Sequence, residues 1–174
     1  MTEPNELCRD IQMKLPDEIW SLDATERYRR GASACADFAR MDGHCYVFGV
    51  IEVPLAWARE REPEASFTWG CWAEVSRALH DAYLEAFRTE GASRLAGEGI
   101  LANDIPGYGD AAGAKVRIAF SGERRPVFAM DPETSLGRDQ KAGLTLGKHR
   151  MLDEILFGGD ENEEEEGGEE DGAQ

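Results

Sequence analysis

Residues 37–55, DFARMDGHCYVFGVIEVPL, hold the clearest hairpin in the chain. Asp42-Gly43 suits a type I′ turn, in which both central residues take positive φ. The arm that follows is apolar at Cys45, Tyr46, Val47, Phe48, Val50, Ile51 and Val53. So dense a run reads as a central strand covered on both faces. Glu52 interrupts it just before Val53-Pro54. A carboxylate there is either a functional group at the end of a buried strand or the point where the strand meets water, and the second is the commoner outcome.

The next strand outward is FTWGCWAEVS, residues 67–76, reached through the charged loop AWAREREPEAS. Alternation places Phe67, Trp69 and Cys71 on one face and Thr68, Gly70 and Trp72 on the other. The two tryptophans therefore point to opposite sides of the sheet, one into the main core and the other covering the second face or lining a cleft. Ser76 is placed to cap the helix that follows. That helix carries Leu79, Ala82, Tyr83, Ala86 and Phe87 at helical spacing, leaves His80 off the apolar face as a surface histidine, and ends near Gly91.

Farther out, LPDEIW and Asp23-Ala-Thr-Glu26 mark a short helix stopped at Gly31. GEGILANDIPGYGDAAG (97–113) reads as turns, with Tyr108 its one large side chain. AKVRIAF alternates with Val116, Ile118 and Phe120 inward. Ser121-Gly122-Glu123 turns the chain into RRPVFAM, where Pro126 belongs at a strand start or an edge. SLGRDQKAG is a helix closed by Gly143, and KHRMLDEILF puts Met151, Leu152, Ile155 and Leu156 on one helical stripe. Strand pairs with helices between and after them predict an α+β fold, one domain over 16–157 with a mostly antiparallel sheet and flanking helices. Residues 1–15 are expected to be a flexible N-terminus and 158–174 a disordered acidic tail.

The 174 residues suit one domain, and 41% apolar content is ordinary for a globular chain. The first twenty residues lack the continuous apolar stretch of a secretory signal, and no run is long enough for a membrane span, so a cytoplasmic location is expected. Cys8, Cys35, Cys45 and Cys71 form no C-x-x-C pair, and they read as free, partly buried thiols. Nothing calls for a metal or another cofactor. Formal charge is −16, and the run after Gly159 holds nine acids and no base. Such a chain repels phosphates and anionic lipid, so direct nucleic-acid or membrane binding is not expected, while a basic protein partner is electrostatically easier. Oligomeric state is not legible.

Five pieces together resemble the bacterial family called domain of unknown function 2199: FGVIEVPL (48–55), FTWGCWAEVS (67–76), GILANDIPGY (99–108), RRPVFAM (124–130) and SLGRDQKAGL (135–144). The resemblance covers roughly residues 37–144 and implies a compact domain without an established activity. Members of the family often open with a paired-cysteine segment of zinc-binding look; here only Cys8 stands near the start. Members also tend to carry His-Pro-Leu where this chain has Thr134-Ser135-Leu136, so any chemistry of that histidine is missing.

Nucleophile elbows, P-loops, zincin helices and EF-hand loops are absent from the sequence. No catalytic residue is assigned. The polar and aromatic residues within the family-like pieces, Glu52, Trp69, Trp72, Ser76, Tyr108, Arg125 and Gln140, are the candidates for a binding site. The competing reading makes the tryptophans core, Arg125 an ion-pair partner, and Ser76 and Gln140 caps of backbone groups. The leading functional expectation is an acidic, non-enzymatic protein-binding module of immunity-like or regulatory type. Its rivals are a small-ligand-binding or hydrolase-like domain built on Trp69, Arg125 and Gln140, and a nucleic-acid mimic.

Overall fold

A computed structural model describes residues 2–89, 95–121 and 124–158. Eight strands are involved: β1 (Asp10–Gln12), β2 (Ser33–Ala34), β3 (Phe38–Met41), β4 (His44–Pro54), β5 (Ser66–Val75), β6 (Ala96–Leu101), β7 (Lys115–Ala119) and β8 (Val127–Met130). The helices are α1 (Asp17–Trp20), α2 (Ala24–Arg29), α3 (Arg77–Thr89), α4 (Ser135–Ala142) and α5 (Leu146–Phe157). The α+β expectation holds, and most pairings are antiparallel. The sheet also closes on itself. Its order is β1-β5-β6-β7-β8-β4-β3-β2, with a further pairing of β5 to β4. β4 to β8 thus form a five-stranded barrel, from which β3-β2 and β1 extend.

The hairpin that anchors the sequence forms as expected. Met41 pairs with His44 across a turn in which Asp42 and Gly43 have φ of 51° and 79°. The β4–β5 ladder then runs from Cys45 opposite Val75 to Pro54 opposite Ser66. Alternate residues of the barrel strands, among them Val47, Ile51, Trp69, Cys71, Leu101, Ile118 and Phe128, build the larger core. Tyr83 of α3, Leu136 of α4 and Leu152 of α5 join it. The opposite face of β3–β5 carries Met41, Tyr46, Phe48 and Trp72, covered by Ile19 of α1. Two separate cores explain why β4 is apolar at every position from Cys45 to Phe48. The second half emerges at Glu52, which is exposed.

Four expectations need correction. The N-terminal stretch to residue 15 is not loose throughout: β1 pairs in parallel with β5, Ile11 opposite Trp69. The glycine-rich piece at 97–101 is strand β6 and not a turn. Glycine conceals a strand here because side-chain room is missing. A Cβ on Gly99 would lie 2.7 Å from the Glu74 carbonyl oxygen. His80 is not a surface residue but only 3% exposed. Phe38 of β3 packs its ring against His80, Tyr83 and Phe87, so the covered face of α3 is rotated from the one read from spacing. The single N-terminal helix is likewise two short ones, the second capped by Asp23 accepting from the Glu26 N–H. Gly91, Gly122, Glu123 and all of the acidic tail beyond Gly158 lie outside the described residues.

Barrel closure rests on a narrow seam. β4 and β8 pair in parallel only at Val50 and Val127. A Cβ on Gly49 would fall 2.3 Å from the Phe128 ring, so β8 lies across β4 only because residue 49 has no side chain. Where the strands diverge, α4 fills the gap, positioned by its cap, Thr134, whose Oγ1 accepts the Gly137 N–H.

Candidate functional site

The seven candidate residues do not converge on one cavity. Trp69 lies in the barrel core and Trp72 in the second core, both fully covered. The Trp72 indole N–H donates to the Met13 carbonyl at 3.1 Å. Glu52 projects into water, and Ser76 is spent on its helix, accepting the Leu79 N–H at 3.1 Å. Tyr108 is buried and donates its hydroxyl to Asp139 at 2.7 Å, while Lys148 reaches the same carboxylate and lies 4.6 Å from the Tyr108 ring. Burial and the carboxylate both push the Tyr108 phenol up, which keeps it a donor. The Arg125 guanidinium sits 4.6 Å from the centre of the Phe48 ring and 3.8 Å from Asp37.

Gln140 does the most. Its Oε1 accepts the Met130 N–H at 2.8 Å, and its Nε2 donates to the Phe128 carbonyl at 3.0 Å and, more weakly, to the Glu52 carbonyl at 3.4 Å. One side-chain amide thus stands in for the missing ladder between β8 and β4. The polar residues shared by the family-like pieces are largely architectural. Asn103, which the sequence reading passed over, is another case. Its Oδ1 accepts the Trp72 N–H at 2.8 Å and its Nδ2 donates to the Leu15 carbonyl and Asp17.

Two surfaces remain. The first is α5. Its core-facing line is His149, Leu152 and Leu156, one position away from the expected stripe. Met151 and Ile155, one turn apart, are consequently 45% and 50% exposed, and Phe157 is 50% exposed. His149 has no exposed surface. Its Nδ1 accepts the Trp57 indole N–H at 3.1 Å and its Nε2–H donates to the Cys8 carbonyl at 2.6 Å. Burial holds this imidazole below its usual range, partly offset by the Cys8 carbonyl and by Asp153. Cys8 N–H also donates to Asp153, so α5 clasps the N-terminal segment. Between them lies a cavity of about 560 Å³ lined by Leu7, Arg150, Asp153, Glu154 and Phe157.

The second surface is a groove between the β2–β3 edge and the start of α3. Two cavities of about 240 Å³ and 220 Å³ share Arg40 and Asp81 as walls. Cys35, Phe38, His80 and Leu84 line the first, and Met41, Asp42 and Arg77 the second. All four cysteines are free; Cys35 is exposed, and burial raises the Cys45 and Cys71 thiols. Among the described residues no three His, Cys, Asp or Glu side chains gather as a metal site requires. No helix among them is long and apolar enough to cross a membrane.

A family model described as an uncharacterized protein conserved in bacteria, DUF2199, matches residues 3–144. The chain belongs to that family. The matched span begins well before residue 37, where the sequence resemblance starts, so this DUF2199 domain includes β1, α1 and α2 as well as the barrel. It ends before α5. No curated protein matches the chain, and no solved structure does.

Proposed function

We propose that this DUF2199 protein is an acidic protein-binding module, of immunity-like or regulatory type, that docks a basic partner on α5. The observation that carries the reading is the half-exposed pair Met151 and Ile155 on the helix leading directly into a run of nine acids without a base. An apolar helix face with adjacent charge is a common mode of peptide recognition. Complementary charge accelerates encounter and selects the partner, while the apolar contacts hold it. The partner fitting this surface has Lys or Arg flanking an apolar patch.

The test begins with the full chain as bait and identification of any stoichiometric partner by mass spectrometry. That partner is then made alone, and its association is measured with the full chain, with the chain ending at Gly158, and with Met151→Glu/Ile155→Glu. Loss of the acidic run slows association about tenfold at low salt, and the difference vanishes at high salt. The double substitution speeds dissociation. Equal rates for all three proteins would overturn the reading, as would a captured partner of acidic surface.

A further inference from the structure

We propose that His149 is an acid-released latch: when its ring takes up a proton, α5 and the N-terminal segment around Cys8 come away together while the barrel stays folded. The ring joins three pieces. It belongs to α5, it donates to the Cys8 carbonyl at 2.6 Å, and it accepts from Trp57, in the link between β4 and β5, at 3.1 Å. An indole nitrogen only donates and a carbonyl only accepts, so the neutral ring satisfies both and the protonated ring loses Trp57. Water offers no substitute, because the ring has no exposed surface and Phe67 stands edge-on to it at 5.4 Å. The charged groups facing the ring are Asp153 of α5, which favours the proton, and Arg9 of the N-terminal segment, which opposes it and is itself paired with Glu62.

The response is local because the other attachments are slight. Of the 12 residues of α5 only His149 and Leu152 are buried, with Leu156 partly so and Lys148 paired with Asp139 at the first turn. β1 pairs with β5 over 3 residues, whereas the β4–β5 ladder runs unbroken from Cys45 to Pro54. Segments with few buried apolar contacts open at lower free-energy cost than a packed barrel. Cys8 holds α5 a second time, through its N–H and Asp153, so the two pieces move as one. The open form takes up a proton with ordinary imidazole affinity, and the latched form resists it. Opening is therefore least above about pH 6.5 and rises by up to about tenfold per pH unit below it, until the latched ring itself titrates. Met151 and Ile155 leave with α5, so acid detaches the docking face. That consequence rests on the docking reading; the latch does not.

The test is amide hydrogen exchange on the full chain without a partner, followed residue by residue between pH 7 and pH 5 and in low urea, with each rate corrected for its intrinsic pH dependence. The amides of Met13 and Thr68, which hold the N-terminal segment to β5, and those of α5 are expected to share one opening constant. That opening should depend on urea less steeply than the opening that exposes Val47 and Ile51 of β4, because it uncovers less surface. Its constant should rise about tenfold per pH unit below about 6.5. His149→Gln should abolish the rise. Trp57→Phe, which removes the opposing N–H and keeps an aromatic ring, should make it shallower in a chain that folds normally. Exchange of α5 and the N-terminal segment only through the opening that exposes β4 would overturn the proposal. So would separate opening constants for the two pieces, or a rise unchanged in His149→Gln or in Trp57→Phe. Failure to capture a basic partner would strike the docking reading and leave these results as they are.

Discussion

Both nitrogens of His149 are committed, one accepting from Trp57 and the other donating to the Cys8 carbonyl. That arrangement admits only the neutral ring. A proton on Nδ1 would confront the Trp57 N–H, and burial opposes the charge as well. The groups facing the ring are Asp153, which favours the proton, and Arg9, which opposes it. Because the folded pKa lies below the unfolded value of about 6.5, stability is full above that pH. Below it, the unfolded chain takes up a proton that the native one resists, and stability falls until the depressed pKa is passed. His149→Gln retains a donor and an acceptor but does not titrate. Urea unfolding should show it about 1–3 kcal/mol less stable near neutral pH, with a shallower decline in acid than the natural chain. Parallel acid limbs would remove His149 as the titrating group. His44 acts in the opposite sense. Its exposed contact with Glu74 raises its pKa, so that contribution is present in acid and lost as pH rises through the raised value. His149 was legible in part, since it shares a helical face with Leu152 and Leu156. His80 was not, because what covers it is Phe38, more than forty positions earlier.

Among the elements, strands with clean alternation were readable and the closure of the barrel was not. The β3–β4 hairpin follows from Asp42-Gly43 and from β4 itself. The β4–β8 seam leaves no such trace, because it consists of one backbone bridge and the amide of Gln140. Gln140 could be read as a cap of backbone groups, but nothing in a lone glutamine on a short helix says which strands it joins. Gln140→Ala should therefore cost about 2–4 kcal/mol, well above the usual effect of a surface substitution, since it strands the Met130 N–H and the Phe128 carbonyl. Gln140→Glu separates this from simple loss of packing. A carboxylate aimed at the Phe128 and Glu52 carbonyls is destabilising when ionised and regains a donor when protonated. Its folded pKa is raised, so thermal unfolding should find the variant closest to the natural protein in mild acid and losing ground as pH rises. A pH-independent deficit would mean that Gln140 acts through shape alone.

At the scale of the whole molecule, the charge is divided unevenly. Residues 159–174 carry nine acids and no base, so removing them takes the formal charge from −16 to −7. Like charge opposes the compact state through long-range repulsion, which salt screens over roughly 10 Å at 0.1 M. If the run acts only through its field, the chain ending at Gly158 should melt at an equal or slightly higher temperature than the full chain in low salt. The difference, under about 1 kcal/mol, should disappear in high salt. If the run instead packs against the cavity between α5 and the N-terminal segment, its removal should lower the melting temperature by several degrees at both salt concentrations. The first outcome leaves the acids free to steer a partner toward Met151 and Ile155. The second would make them part of the fold and require the docking surface to be sought away from α5.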